Sequence, residues 1–327
     1  CRVGHLAVRS WLFVRPLGFA TVSALTIAVL AVSSSAPLTA YAAAPALAIA
    51  FYRTAIAVGV IAPFAALTRR EELLSLVRTP AGRRTGRLCA LAGLALAVHF
   101  ATWLSATKLT TVANATALVA TQPVWAAMIC AWRRMPVART TWIGIAVATV
   151  GMAMATGTDV AVSGSAALGD LLAVVGAVLA AIYTTYGEQA RQGVSTTTYT
   201  LVCYSVCAAV LLVVDLAAGV RLAGFAPTTW AAILGIVAGA QLLGHSLINF
   251  ALHRVSATAV SVLLLLEVPG AVLLGWLMID QVPAGHSLPG LIIGVAGVAI
   301  VVAGAAGGRR RHRAEPALAG TGPADQG

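Results

Sequence analysis

The chain has 327 residues, of which 60% are hydrophobic and only 9% are charged, and its formal net charge is +11. About a quarter of the residues of a typical soluble domain are charged, so the composition excludes an ordinary soluble protein and favours one built from membrane helices. A strongly positive chain can also bind nucleic acid, and where the basic residues lie decides between these two explanations.

Ten apolar stretches follow one another along the chain, each near the length of about 20 residues that a helix needs to cross a bilayer. In the first half they are Leu17 to Pro37, Leu47 to Leu67, Leu88 to Ala106, Val112 to Trp132 and Thr140 to Thr156. In the second half they are Gly169 to Tyr186, Thr197 to Ala217, Trp230 to Leu252, Thr258 to Ile279 and Leu288 to Ala305. The predicted fold is therefore an all-α polytopic membrane protein with ten transmembrane helices.

The segments between these stretches define the predicted domains. They are an N-terminal tail (1–17), a first repeat with helices 1 to 5 (18–157), an external linker rich in Gly, Ser and Thr (158–168), a second repeat with helices 6 to 10 (169–305) and a basic tail (306–327). The Pro, Gly and charge content of the last segment is typical of disorder. The loop 68–87 carries six arginines and can form a short surface helix that ends near Pro80.

The second half repeats the first at a shift of 146 positions. The shift places His99 on His245, Lys108 on Arg254, Ala113 on Ala259, Pro123 on Pro269, Gly144 on Gly290 and Gly151 on Gly297. Because five spans per repeat is an odd number, the second repeat must enter the bilayer from the opposite side. Two inverted five-helix repeats are the plan of many secondary transporters.

The basic residues lie almost entirely on one side of the predicted membrane. If the N-terminus is cytoplasmic, all but three of the 21 Lys and Arg residues are cytoplasmic, with Lys108 and Arg221 outside and Arg53 inside a span. This asymmetry follows the positive-inside rule. It predicts a multi-pass protein of the cell inner (plasma) membrane with both termini in the cytoplasm, and it explains the net charge without a nucleic-acid partner.

The motifs that the sequence lacks exclude several kinds of catalytic and metal-binding site. The sequence contains no Walker loop, GxGxxG, HExxH or GxSxG motif and no paired-cysteine zinc spacing, so we expect no cofactor, no catalytic residue, no metal and no ATP-driven pumping. Cys203 and Cys207 share a helix face, but without a nearby carboxylate or histidine they are interpreted as packed thiols. The GxxxG pairs Gly235/Gly239 and Gly290/Gly294 fit either helix contact within the chain or a homodimer.

Four stretches resemble EamA-type members of the drug/metabolite transporter superfamily. They are PALAIAFYRTAIAVGVIAPFAALTRR (45–70), LAGLALAVHFATWLSATKLTTVANATALVATQPVWAAMI (91–129), GDLLAVVGAVLAAIYTTYGEQAR (169–191) and LLGHSLINFALHRVSATAVSVLLLLEVPGAVLLGWLMID (242–280). The resemblance implies two EamA repeats and secondary transport of small metabolites. Family members commonly end the fourth and ninth helices with an acid, as Asp280 does here, but the equivalent residue of the first repeat is Arg134. The first helix has no acid, so the glutamate-centred proton exchange of small multidrug relatives cannot be transferred.

Glu267 is the first candidate functional residue. A charged side chain in the bilayer centre costs about 2.5–3.5 kcal/mol on insertion scales, so it should face the protein interior or a water-filled cavity. Glu267 lies near the middle of its span beside Pro269, and Pro123 is the equivalent helix-kinking residue in the first repeat. It could couple transport to a proton, bind a cationic group of a substrate, or pair with Arg53 or His245 to hold helices together.

Other polar residues within the spans extend the predicted site. Arg53 could clamp a substrate carboxylate with two hydrogen bonds, or it could snorkel or pair internally. Gln241, His245 and Asn249 recur every four residues and predict one polar stripe, with His99 and Trp103 as its counterpart in the first repeat. These residues could line a substrate path or form bonds between helices. Tyr183 is a further lining candidate, with Tyr186, Gln122 and Trp125 as weaker ones.

The sequence thus predicts a secondary transporter, and more specifically an exporter of small metabolites such as amino acids, which alternates access around a midplane cavity. The predicted partners are a small-molecule substrate and the lipid bilayer, with a coupling proton and a second copy of the chain as further hypotheses. A membrane-embedded enzyme or assembly factor acting on lipid-linked substrates is the alternative. That alternative needs a cluster of catalytic side chains near one interface.

Overall fold

The computed structural model describes residues 18–135, 137–156, 164–282, 289–290 and 292–303. These residues form helices and turns, and no β-strand is found among them. The two predicted tails, 1–17 and 306–327, lie outside the described residues, as does most of the predicted linker. Residues 164–168, which the sequence assigns to that linker, are helical in the structure.

Eight helices lie in the described residues of the first half. They are α1 (Phe19–Ser33), α2 (Ser35–Tyr41), α3 (Ala46–Thr68), α4 (Arg70–Arg78), α5 (Pro80–Leu109), α6 (Val112–Val119), α7 (Gln122–Trp132) and α8 (Arg139–Thr156). The second half contains α9 (Gly164–Ala190), α10 (Thr196–Ala217), α11 (Pro227–Ile236), a π-helical segment (Val237–His245), α12 (Ser246–Ala251), α13 (Ala257–Leu264), α14 (Glu267–Ile279) and α15 (Ile292–Ala303).

Eight helical stretches of the described residues are long and apolar enough to cross a membrane. They are Phe19–Tyr41, Ala46–Thr68, Pro80–Leu109, Val112–Trp132, Gly164–Ala190, Thr196–Ala217, Pro227–Ala251 and Ala257–Ile279. The helices α8 and α15 lie at the places of the predicted fifth and tenth spans, and α15 is a shorter apolar helix. The described part of the chain is therefore all-α with eight candidate membrane spans, and ten spans remain a prediction.

The third span begins earlier than its apolar stretch indicates. Apolarity starts near Leu88, whereas α5 starts at Pro80. Proline is well suited to the first helical position, and the Thr79 hydroxyl accepts a hydrogen bond from the Gly82 amide at 2.9 Å, which caps the helix. The arginine-rich first turns of α5 are therefore helical although they are not apolar.

The fourth span of each half is broken near its middle. The first break follows Val119, before α7, and the second follows Leu264, before α14. At both breaks the chain tightens into i to i−3 bonds, from the Thr121 amide to the Leu118 carbonyl and from the Leu265 amide to the Val262 carbonyl, each 3.1 Å long. Pro123 and Pro269 lie within the first turn after each break, where a proline removes no required intrahelical hydrogen bond.

The helices α8 and α15 pack antiparallel and exchange equivalent contacts. A Cβ atom added to Gly144 would lie 2.8 Å from the Gly297 carbonyl oxygen, and one added to Gly151 would lie 2.8 Å from the Gly290 carbonyl oxygen. The shift of 146 converts the first contact into the second. A contact in which residue i meets residue j and j meets i is the mark of a two-fold relationship, here between the two halves of one chain.

The predicted GxxxG pairs are used inside the chain. Gly290 and Gly294 contact Gly151 of α8. Cβ atoms added to Gly235 and Gly239 would lie 3.4 Å from a Leu38 methyl carbon and 3.3 Å from the Ser34 hydroxyl. Both pairs therefore allow close helix approach within the monomer, and neither supports a homodimer.

Candidate functional site

A small cavity lies in the middle of the helices, where the two broken spans meet. Its volume is about 50 Å³, which is room for a few water molecules and well below the roughly 300 Å³ at which ligand pockets begin. Both halves supply polar lining residues, namely Ser35, His99, Trp103, Thr116, Gln122, Tyr183, Thr184, His245, Ser261 and Glu267. The cavity is therefore too small for a metabolite, and polar side chains of both halves line it.

Glu267 is the acidic residue that lines this cavity. It is the first residue of α14, directly after the break in the ninth predicted span. A carboxylate at this position is stabilised by the positive end of the helix dipole. The Glu267 carbonyl oxygen accepts a hydrogen bond from the Ser33 hydroxyl at 3.3 Å, which joins α14 to the end of α1.

Arg53 lies behind the cavity wall and is fully buried. Its Nε donates to Gln241 Oε1 at 2.9 Å, and its Nη1 donates to the Ser35 hydroxyl at 3.1 Å. The guanidinium carbon lies 4.0 Å from the centre of the Phe100 ring, which is a close cation–π contact. Nη2 is buried without a partner. Arg53 therefore does not snorkel, and its hydrogen-bond partners are Gln241 and Ser35, whereas Glu267 interacts with it only electrostatically.

The two histidines related by the repeat both line the cavity, in different environments. The His99 Nδ1 bonds the Gly176 carbonyl oxygen at 2.8 Å, so that nitrogen carries the proton. Its ring also stacks on Trp103 at 5.8 Å between centres. His245 meets the edge of Phe100 at 5.2 Å, and its Nδ1 has no partner. His99 is therefore fixed by its neighbours, whereas His245 keeps a free polar atom.

The predicted polar stripe lies partly on a π-helical segment, which changes what its members face. Gln241 turns toward Arg53, His245 toward the cavity, and Asn249 toward α9. The Tyr183 hydroxyl donates to Asn249 Oδ1 at 2.6 Å, and Asn249 Nδ2 donates to the Tyr204 hydroxyl at 3.4 Å. All three predicted members are thus inside the protein, but only His245 reaches the cavity.

A second polar group closes the cavity between the two halves. Gln122 Nε2 of α7 donates to the Ser261 hydroxyl of α13 at 3.1 Å and to the Thr184 hydroxyl of α9 at 3.4 Å. Sequence reasoning missed Thr184, Ser35 and Tyr204, because Ser, Thr and Tyr are frequent in membrane helices and often bond only to their own backbone. Trp125 and Tyr186 do not line the cavity and lie instead beside a separate groove.

No metal centre is found in the part of the chain that the structure describes, because no three His, Cys, Asp or Glu side chains are grouped to hold an ion. Cys203 and Cys207 are fully buried on α10. Cys203 packs near Gly93 of α5, where a Cβ atom would lie 2.5 Å from the Cys203 carbonyl oxygen. Both thiols are thus buried, and α10 packs closely on α5 at Cys203.

The family model of the EamA-like transporter family matches residues 17–157 and 167–303. The chain belongs to this family. The two matches coincide with the two halves defined by the 146-residue shift, which confirms the EamA resemblance and the assignment to the drug/metabolite transporter superfamily. This EamA protein is accordingly a multi-pass membrane transporter by family.

A solved crystal structure has the same fold as this EamA protein. It shares 18% sequence identity with the chain, covers 88% of it and 97% of its own length, and superimposes with a TM-score of 0.69. At this identity the likeness concerns the fold alone. No curated protein matches the chain significantly, so the substrate has to be inferred from the site itself.

Proposed function

We propose that this EamA protein exports small metabolites, such as amino acids or related compounds, by alternating access around the central cavity. The observation that carries the proposal is the cavity itself, which is enclosed by the broken spans of both halves and combines a carboxylate with two histidines. Broken helices at a midplane site are typical of secondary transporters. A membrane-embedded enzyme is favoured by no feature of the described residues.

The antiparallel contact of α8 with α15 supports an inverted-repeat arrangement in the membrane. A two-fold axis that relates antiparallel helices runs perpendicular to them, and so lies in the membrane plane if these helices cross it. With ten spans and the positive-inside rule, this arrangement gives an inner-membrane protein with both termini in the cytoplasm.

The small volume of the cavity supports a transport cycle in which this structure is a state without room for the substrate. A cavity of about 50 Å³ has to enlarge before it can hold a metabolite, so one half must move against the other. Opening toward the cytoplasm would admit the substrate, and opening toward the outside would release it. The direction of net transport then depends on the coupling ion.

The contacts of Glu267 support a functional role over a purely structural one. Its expected structural partner, Arg53, donates its hydrogen bonds to Gln241 and Ser35 and interacts with Glu267 only electrostatically, while Glu267 lines the cavity. A carboxylate in such a place can carry a proton or bind a cationic group of the substrate. We propose Glu267 as the coupling residue, with His245 and His99 beside it.

Counterflow into proteoliposomes tests this proposal. Proteoliposomes that contain the purified full-length protein are loaded with unlabelled amino acids. Uptake of each labelled amino acid is then measured between pH 5.5 and 8. We expect counterflow of at least one compound, and Glu267→Gln should reduce it more than about tenfold and flatten its pH dependence. Glu71→Gln, at an exposed surface position, is the matched control and should behave as wild type.

Two results would count against the proposal, and they differ in what they overturn. If the wild type shows counterflow and the Glu267→Gln variant has the same counterflow and the same pH dependence, Glu267 has no coupling role, but the proposal that the protein is a transporter still holds. An absence of counterflow across the whole panel, with protein that is folded and correctly inserted, removes amino acids as the substrate class.

A further inference from the structure

A basic surface lies where α3 ends and α5 begins. Its six arginines are Arg69, Arg70, Arg78, Arg83, Arg84 and Arg87, and all six are exposed. The surface also presents three exposed apolar side chains, Phe64 at 58%, Leu67 at 86% and Val77 at 66% of their full accessibility. We call these nine residues the α4–α5 platform.

The platform has almost no negative charge of its own. The two acids in this region are Glu71 and Glu72. The Glu72 carboxylate is engaged elsewhere, because it accepts hydrogen bonds from the Ser195 amide at 2.5 Å, the Ser195 hydroxyl at 2.6 Å and the Thr198 hydroxyl at 2.8 Å. Glu71 is the one exposed acid left among six exposed arginines.

The same contacts hold the platform in place. Ser195 is the N-cap of α10, so Glu72 ties α4 to the start of a membrane-spanning helix. Leu76, one turn after Glu72 on the same face of α4, is buried, and the Arg83 Nη1 donates to the Val77 carbonyl at 3.3 Å, which joins α4 to α5. The helix cannot roll freely, and the arginines keep their positions at the ends of two spans.

This combination identifies the ligand by its chemistry. Arginine forms paired hydrogen bonds with phosphate oxygens, and basic residues next to exposed apolar side chains at the end of a membrane helix are suited to the interface between headgroups and acyl chains. We propose that the α4–α5 platform binds the headgroups of anionic phospholipids in the leaflet that it faces. This site is separate from the central cavity, and its occupation does not require the proposed transport function.

Lipid titration of the full-length protein in neutral detergent, followed by native mass spectrometry, tests the proposal. The probes are phosphatidylglycerol and phosphatidylcholine with identical acyl chains. We expect preferential binding of phosphatidylglycerol, which the combined Arg70→Gln, Arg78→Gln and Arg84→Gln variant should weaken about a hundredfold, or roughly fivefold per arginine. Glu71→Gln should strengthen binding, because it removes the one exposed acid.

The matched control removes the same charge from the tail, with Arg309→Gln, Arg310→Gln and Arg311→Gln combined. It should keep the wild-type affinity for phosphatidylglycerol. Equal binding of the two lipids by the wild type, or equal loss of binding in the two triple variants, would overturn the proposal. Elution of every variant at the wild-type volume in size-exclusion chromatography, with an unchanged melting temperature, shows that the comparison is between folded proteins.

Discussion

Arg53 shows how this protein accommodates a full charge among apolar helices. Placing arginine at a helix centre costs about 2.5–3.5 kcal/mol on insertion scales, which is similar to the gain from one or two hydrogen bonds made by a charged group. The contacts with Gln241, Ser35 and the Phe100 ring supply interactions of this kind. The partners come from three different helices, so Arg53 also fixes how those helices meet near the cavity.

Glu72 links the stability of the protein to the pH at the α4 surface. Partial burial raises the pKa of Glu72, but the hydrogen bonds from the Ser195 side chain, the Ser195 amide and the Thr198 hydroxyl lower it more, to below its ordinary value of 4.5. A folded-state pKa below the unfolded one stabilises the protein above the unfolded pKa. That stability is lost as the pH falls below 4.5 toward the folded-state pKa.

Glu72→Gln tests this linkage. At pH 7 we expect the variant to lose about 1 kcal/mol of stability, since a neutral amide accepts weaker hydrogen bonds than a carboxylate. Thermal unfolding in detergent from pH 7 down to pH 3.5 measures the difference, which should shrink below pH 4.5. Glu71→Gln is exposed and should track the wild type throughout, and a Glu72→Gln deficit that does not change with pH would refute the linkage.

Among the elements, the broken spans were predictable and the π-helical segment was not. Pro123 and Pro269 mark the two breaks, because proline cannot continue a helix interior without losing a hydrogen bond. The residues Val237–His245 contain no comparable signal. π-helices are rare and occur mostly as single turns inside α-helices, and here the segment packs closely on α1, since a Cβ atom added to Gly244 would lie 3.4 Å from the Val32 amide nitrogen.

The consequence for the site is visible in the stripe Gln241, His245 and Asn249. Spacing of four residues correctly predicted that all three lie inside the protein, since polar atoms in a lipid-facing position are costly. It could not separate their roles, because the wider turn of the π-helix rotates Gln241 toward Arg53 and leaves His245 at the cavity. The role of each residue therefore depends on a tertiary contact that local spacing does not encode.

The contact between α8 and α15 gives a prediction at the level of packed helices. Gly151→Ala would place a Cβ atom 2.8 Å from the Gly290 carbonyl oxygen, where backbone, not a flexible side chain, would have to move. We expect a loss of about 1–3 kcal/mol, as for other overpacked contacts, and a lower melting temperature in detergent. Gly59→Ala of α3 is the control.

Gly59 has open space around its Cα, with nothing within 4 Å of an added Cβ atom. Alanine there should leave the melting temperature unchanged or raise it, because glycine in a helix interior costs about 1 kcal/mol relative to alanine. Equal melting temperatures of Gly151→Ala and Gly59→Ala would mean that α8 and α15 are not closely packed in the folded protein.

For the whole molecule, the two halves are alike in architecture but differ in what closes them. Gln122, Thr184 and Ser261 form a hydrogen-bonded group between the halves, which the topology proposed above would place toward the cytoplasm. The shift of 146 converts these three residues into Val268, Leu38 and Ala115, which have no side-chain polar atoms. If the two open states are related by exchanging the halves, hydrogen bonds between the halves close the cavity toward the cytoplasm. We call these hydrogen bonds the polar lock. Toward the outside, the equivalent contacts between the halves are apolar.

Gln122→Leu therefore should favour the state that is open to the cytoplasm. Thr184 and Ser261 keep their own bonds to the Ala180 and Ala257 carbonyls, so the variant removes only the bonds between the halves. The net worth of a hydrogen bond, about 0.5–1.5 kcal/mol, corresponds to a roughly two- to tenfold shift in population. The shift is measured by the labelling of a cysteine substituted for Ala180 in a background without other cysteines, with a thiol reagent added from the cytoplasmic side.

Val268→Leu, an apolar change at the equivalent position, is the control and should leave cytoplasmic labelling at the wild-type rate. An equal effect of the two substitutions would show that the polar lock does not set the populations of the two open states.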